Sequence, residues 1–346
     1  MPTLSKTKKE TKLILKWGGI SLLIIFLFMT GIRITALIKE GLTPPPPPKA
    51  SFGKLTPIPF PNQKKEIISY TLDTLTGFLP GFKDRANVYR VGTLPPNLLS
   101  LDKTQERVSA IGFNSSGFPI APDVYQWVEG EPPLQRRVTI NIFSGDFTLS
   151  SSYLIATSLQ SFGENENKET AIELSKSFLS RMELFPEDVD EQKTKTSFYT
   201  IQNNSLVKTD EISDAKIIRV DFFQKDLNEF PIYYERGLFS TISTLVAKEE
   251  NEFKIVDVRF FYKGASKDFS DYSIKSASQA FEELKEGKGY IASNSQNLVS
   301  IVIKKAILGY YIGENQQEYL MPIIIFEGDN DFVAYVSAVR DEWINN

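Results

Sequence analysis

Sixteen uncharged residues, Trp17–Ile32 (WGGISLLIIFLFMTGI), lie between Lys16 and Arg33. A hydrocarbon core takes about 20 helical residues to cross. The long stems of Lys16 and Arg33 reach back toward the headgroups, which brings Leu13–Leu15 and Ile34–Ile38 into the span. A helix buried in a soluble core would not carry the flank Lys6, Lys8, Lys9, Lys12 and Lys16. A cleaved signal peptide calls for a shorter apolar region and an Ala-x-Ala-like site. Here Arg33 and bulky residues follow instead, so an uncleaved signal anchor is expected over 17–38. Lysines before the span and few after it place residues 1–16 in the cytoplasm and everything beyond residue 38 outside. The lipid bilayer is therefore the first expected partner.

Gly41–Pro61 reads GLTPPPPPKASFGKLTPIPFP and holds eight of the chain's 19 prolines. Proline fixes φ and lacks an N–H, so this run is expected to be extended and not helical. The reading is a stiff stalk over 39–61, with Ile58 and Phe60 able to dock as an edge strand on the body. A PxxP ligand for an SH3-like domain is the weaker reading outside a cell. The first 61 residues carry a net +7 against a total of −4, which leaves −11 on residues 62–346. An acidic body is a poor partner for nucleic acid, whose affinity rests on phosphate neutralisation.

Beyond the stalk, helices are few. Thr170-Ala-Ile-Glu173 and Ser276-Ala-Ser-Gln279 read as capping boxes. The first opens a stripe of Ala171, Leu174, Phe178, Met182 and Phe185 that Pro186 stops. The second opens Ala277, Ala280, Phe281 and Leu284, with Gly287 as the C-terminal cap. A further helix is expected from Asp102 to about Ile111. Strands are expected at Arg137–Phe143, Lys216–Phe223, Phe239–Ala247, Phe253–Tyr262, Val299–Ile307, Ile307–Ile312, Tyr319–Phe326 and Phe332–Val336. KEENE, GENQQE and EGDND are their polar turns. Pro322 marks an edge or a strand start. The acids near the end of the chain are expected to face solvent. A capped helix followed by antiparallel strands recurs three times as a pattern. The fold class is α+β, mostly antiparallel sheets each packed by a helix, preceded by one transmembrane helix. External units are expected at 62–160 and 161–346.

With no cysteine and no histidine, the chain has no disulfides, thiolate nucleophiles, Cys-ligated zinc, Ser-His-Asp triad or HExxH site. Ser-x-x-Lys occurs at Ser51–Lys54, Ser100–Lys103, Ser205–Lys208 and Ser213–Lys216, without the Ser-Asp-Asn and Lys-Thr-Gly partners of β-lactam-binding enzymes. Asp329-Asn330-Asp331 fails as an EF-hand loop, because Val333, Ala334 and Arg340 stand at positions 5, 6 and 12. No P-loop or GxGxxG occurs. No catalytic, cofactor-binding or metal-binding residue is assignable. Trp127, Tyr310, Tyr311, Tyr319 and Tyr335 read as half-buried strand residues, with a contact face for protein or carbohydrate as the alternative.

From Phe230-Pro-Ile-Tyr-Tyr onward, the helix and Gly-x-Gly turn of SASQAFEELKEGKGYI are followed by LGYY, YLMPIIIFEG and FVAYVSAV. This order resembles the extracytoplasmic YycH/YycI regulatory proteins of Gram-positive bacteria, over about a third of the chain. Phe326 stands where that family often has Trp, and the proline-rich stalk departs from its pattern. The resemblance implies a non-enzymatic protein that modulates a membrane sensor kinase. The function expected is binding or regulation by protein contact at the cell envelope, with a membrane or envelope protein as partner. The alternative is a carboxylate-dependent envelope carbohydrate or peptidoglycan hydrolase.

Overall fold

Proline and charge punctuate this chain, and the folded elements begin where they stop. The computed structural model describes residues 16–23, 25–33, 47–63, 68–92, 99–163 and 168–345. These fall into two units, Met1–Pro48 and Lys49–Asn346. In the first, helix α1 (Lys16–Arg33) is long and apolar enough to cross a membrane, and none of it is buried by other parts of the protein. Residues 1–15 of the expected tail, 34–38 of the expected span and 39–46 of the expected stalk lie outside the described residues.

In chain order, the second unit begins with β1 (Ser69–Leu72), β2 (Arg85–Val91), α2 (Ser100–Ser109), β3 (Phe118–Ala121), β4 (Val124–Glu129), β5 (Arg136–Asn141), β6 (Phe147–Ser151) and β7 (Leu159–Gln160). It continues with α3 (Lys168–Arg181), β8 (Lys195–Gln202), β9 (Ser205–Thr209), β10 (Ile217–Asp221), β11 (Ile232–Tyr234), β12 (Ile242–Glu249), β13 (Glu252–Phe260) and β14 (Ala265–Ser273). It ends with α4 (Ala277–Lys285), β15 (Tyr290–Ser293), β16 (Ser300–Ile312), β17 (Tyr319–Leu320), β18 (Pro322–Gly328) and β19 (Val333–Ser337). The class is α+β with mostly antiparallel sheets. Two pairings are parallel, β1 with β16 and β11 with β16.

Local chemistry sets several element ends. Ser276 caps α4 through both arms of the expected box: its Oγ accepts from Gln279 N at 3.2 Å, and Ser276 N donates to Gln279 Oε1 at 2.9 Å. Gly287, at φ 71°, closes the other end in the left-handed region that glycine adopts without a Cβ penalty. The Thr170 box falls elsewhere, because α3 begins at Lys168 and Thr170 lies inside its first turn. The β12–β13 hairpin turns on Glu250 and Asn251 alone, at φ 51° and 65°. Both central residues are left-handed, the geometry that matches strand twist in a two-residue loop. The strands therefore extend through the outer residues of KEENE.

Among the described residues, ten strands form one sheet in the order β3-β4-β5-β6-β13-β12-β10-β8-β9, with β7 beside β12. Six more form β1-β16-β18-β19-β15, with β11 beside β16, and three form β14-β2-β17. The expected boundary at 160/161 cuts the ten-stranded sheet, where β6 pairs with β13 and β7 with β12. The threefold pattern likewise dissolves, because strands following α2 and α3 share that sheet. Instead the body is nested. β2 pairs with β14, and all strands of the ten-stranded sheet lie in the chain between them, while β11, also between them, joins β16. The buried residues Ala171, Phe178 and Leu179 of α3, with Met182 just after it, share a core with Ile218, Val220, Val246 and Val258. Ala280, Phe281 and Leu284 of α4 share another with Ile324, Phe326, Ala334 and Val336.

Tyr319–Phe326, expected as one strand, is two. Met321 breaks it, β17 joins β2, and Pro322 opens β18 in the middle of the six-stranded sheet. Val299–Ile312 is one continuous strand from Ser300. Gly309 is required in it: a Cβ there would stand 2.6 Å from the Pro231 carbonyl oxygen, which accepts from Tyr310 N at 2.9 Å. The aromatic residues singled out in the sequence are interior. Trp127, Tyr310, Tyr311, Tyr319 and Tyr335 are all buried, more completely than half-buried strand residues, and they present no contact face.

The stalk assignment shortens. Residues 49–61 belong to the folded unit as a strap. Leu55 N donates to Trp343 O at 2.7 Å, and Asn345 N donates to Leu55 O at 2.8 Å. This is an isolated bridge to the C-terminal residues and not an edge strand. The Phe60 ring stacks on Tyr290 at 5.0 Å and meets Tyr311 edge-on at 4.7 Å. Proline suits such a strap, since most of its backbone needs no ladder partner. Leu55→Ala should cost about 2–4 kcal/mol, the usual range for truncating a buried leucine, while the exposed neighbour Thr56→Ala should stay within about 0.5 kcal/mol. Denaturant titration of the two variants distinguishes a docked strap from a free spacer, for which neither change would register.

Candidate functional site

Two short sequence patterns point to the ten-stranded sheet's second face. β10 contains Arg219-Val-Asp221, and β13 contains Asp257-Val-Arg259. Residues two apart on a strand share a face, so each strand presents one cation and one carboxylate on the side away from α3. The valines point the other way: Val220 and Val258 lie in the core beneath that helix. The strands flank β12, which places Arg219, Leu245 and Asp257 in one row and Asp221, Ser243 and Arg259 in the next. The four charges form a checkerboard of near-zero net charge, with β10 and β13 about 10 Å apart.

Each charge is fixed differently. Arg219 donates from Nε and Nη2 to the two oxygens of Asp221 at 2.7 and 2.8 Å. Asp221 also accepts from Ser240 N at 3.1 Å. Burial opposes the charge on Arg219, but the bonds to Asp221 outweigh it and hold the guanidinium above its ordinary value. Its plane lies 4.6 Å from the centre of the Phe239 ring. Arg259 is bound by Glu314 through both of its oxygens, and Arg236 Nε lies 3.7 Å from the same carboxylate. Burial pushes the Asp257 carboxyl up to about 6, with Arg259 and Arg219 pulling the other way.

Between this face and the loops of the six-stranded side lies a cleft of about 380 Å³. Tyr199, Leu206, Arg219 and Leu245 come from the ten-stranded sheet, Arg236 and Phe239 from the crossover after β11, and Ala292 and Ser293 from β15. Arg219 is held in place, while Arg236 is half exposed and, among the described residues, its ion pair is with Glu314. The cleft thus offers one fixed and one movable guanidinium beside two aromatic rings, an arrangement suited to a carboxylate or amide attached to an apolar group. A second groove of about 540 Å³ runs beneath α3 and is lined in part by Arg136, Tyr153, Phe178, Arg181, Glu249 and Lys254. Glu249 there is engaged by Ser158 and by Lys254.

The acids near the chain end are not all solvent-facing. Asp329 and Asp331 are exposed in their turn, but Glu314 is held by arginines and Glu327 accepts from the Tyr233 hydroxyl. Among the described residues, no group of three or more Asp or Glu converges in a way that could hold a metal ion. Ser205 and Lys208 sit on opposite faces of β9, Ser100 and Lys103 belong to α2, and Ser51 and Lys54 to the strap. Arg219, Asp221, Asp257 and Arg259 were missed as site residues. Their signal was the paired charges inside otherwise apolar strand runs.

Because the folded value for Asp257 is raised above 3.8, the folded chain holds that proton more tightly than the unfolded chain. Its favourable contribution is complete below about pH 4 and is lost as pH rises through 6. Near neutrality the buried charge costs up to about 3 kcal/mol. Asp257→Asn should therefore be more stable than the parent at pH 7.5 by about 1–3 kcal/mol, with the gain fading toward pH 4. Denaturant titrations of both proteins at the two pH values check the sign.

No family model matches the chain, and no curated protein matches it. Among solved structures it is similar to an uncharacterized protein from Eubacterium rectale ATCC 33656, at 13% identity and a TM-score of 0.36, over 78% of this chain and 89% of that one.

Proposed function

We propose that this is a membrane-anchored binding or regulatory protein of the cell envelope that acts by protein contact. In this reading α1 is a signal anchor crossing the bilayer once. The basic tail 1–16 is cytoplasmic, and the acidic α+β body, a helix backing each large sheet, lies outside. The YycH/YycI resemblance belongs to the same reading, with a membrane neighbour as partner. The observation that carries it is the cleft of Arg219, Arg236, Tyr199 and Phe239. Arginine and tyrosine in a partly enclosed site are the side chains that concentrate binding energy at protein contacts. A hydrolase using two carboxylates needs two acids facing each other across the substrate. The walls of the two cavities hold one, Glu249, already engaged by Ser158 and Lys254.

Crosslinking in intact membranes tests this reading. The parent should yield a discrete crosslinked product. Arg236→Glu should reduce its yield about tenfold or more, and Arg236→Lys should retain part of it. Protease added outside intact cells should digest the body and leave a membrane-embedded N-terminal fragment. An unchanged yield in Arg236→Glu would remove the cleft from the account, and a body protected from external protease would reverse the topology.

A further inference from the structure

The segment between β1 and β2 holds two large apolar side chains away from the body. Leu75 is fully exposed and Phe78 is 78% exposed. They do not hang from a loose loop. Gly77 N donates to Thr74 O at 2.9 Å, closing a turn, and Gly77 itself sits at φ 74°. Thr74 Oγ1 and Thr76 Oγ1 both donate to Phe78 O, at 2.8 and 3.1 Å. Below the turn, Leu79 and Phe82 pack against the core shared by α4 and the six-stranded sheet. On the other side, Asp73 N donates to Ile303 O at 2.9 Å, and Lys304 Nζ donates to the Asp73 carboxylate at 2.6 Å. The result is a braced knob with an apolar tip. Exposed aromatic and aliphatic side chains on a rigid support are costly in water and are explained by what covers them.

Where the chain leading from α1 joins the body bears on what that is. The strap enters the body at Lys49, whose N donates to Asp271 Oδ1 at 3.1 Å. The other oxygen of Asp271 takes Arg85 Nη1 at 3.4 Å, and Asp84 O accepts from Ile274 N at 2.9 Å. Asp84 and Arg85 follow directly on the base of the knob. The tether's entry is therefore tied, through Asp271, to the residues that follow the knob. Only residues 34–48 separate Arg33 from Lys49, a length of at most ~50 Å when fully extended.

We infer that the Thr74–Phe78 turn is a lipid-inserting foot, which buries Leu75 and Phe78 at the interface of the bilayer that α1 crosses. The inference rests on the reading of α1 as a membrane span. Its occupant is the acyl-chain and headgroup boundary of that membrane, where amphipathic elements on rigid supports lie.

The chain has no cysteine, so single cysteines can be placed and labelled without competition. Leu75→Cys, Ile25→Cys and Ser205→Cys, each carrying an environment-sensitive fluorophore in the full chain, would be reconstituted into phosphatidylcholine vesicles with spin-labelled acyl chains. The expected result is that the labels at 75 and 25 lose emission to the lipid-borne quencher while the label at 205 loses it only to aqueous iodide. If 25 is quenched from the lipid but 75 is reached only by iodide, the foot is overturned and the span stands. If neither is quenched from the lipid, the span reading fails and the foot with it. If 75 is shielded from both quenchers, a protein surface or a second copy covers the knob, and the bilayer assignment is overturned.

Discussion

The antiparallel pairing of Arg85–Val91 with Ala265–Ser273 is the constraint on which the rest of the body depends. Gly92 N donates to Gly264 O at 2.8 Å at its end, so the chain leaves and re-enters at one point. Closing a loop of roughly 170 residues costs about 4–5 kcal/mol of chain entropy. The same closure decides what the intervening segment can be. Its ends are pinned together, and it folds back on itself as the ten-stranded sheet, with β11 reaching out to pair with β16. Within that segment, Gln224 Nε2 donates to Asp188 Oδ2 at 2.9 Å and to Lys263 O at 3.2 Å, and Lys263 Nζ donates to both oxygens of Asp146. Buried polar groups with several partners fix geometry that apolar packing alone leaves free.

The interior on the other side is built from tyrosines. Tyr290, Tyr311 and Tyr335 surround Phe60 of the strap, and the Tyr335 hydroxyl donates to Tyr234 O at 2.9 Å. Burial drives the Tyr335 hydroxyl far above its ordinary value, so it stays a neutral donor. Because the strap fills this site and also pairs with the C-terminal residues, the first and last parts of the body are held together.

Much of this was legible in the sequence where the cause is local. The α4 box needs only Ser276 and Gln279 three residues apart. Gly287, the Glu250–Asn251 turn and the break at Pro322 are likewise set by backbone chemistry at single positions. The miss at Thr170 has the same scale: helix start signals carry an uncertainty of a turn when several polar residues precede the apolar stripe. The candidate site was harder. Arg219, Asp221, Asp257 and Arg259 lie in strands that were read as strands, but the cleft that Arg219 lines with Phe239 and Ser293 joins segments far apart in the chain. Nothing in strand periodicity says which strands are neighbours. The tyrosines show the same limit. Their alternation was visible, and their complete burial was not, because the strap that covers several of them was read as a spacer.

The sequence by itself determined the apolar N-terminal helix, the acidic balance of the body, the chemistry denied by the lack of cysteine and histidine, and the α+β class. Each follows from composition or from a period of a few residues. The tertiary structure alone decided that residues 49–61 are a docked strap, that the ten-stranded sheet is nested between β2 and β14, and that Arg219, Asp221, Asp257 and Arg259 share one face on either side of β12. Those outcomes are set by which surfaces exclude water together, and pairing between distant strands leaves no mark on the order of residues within either one.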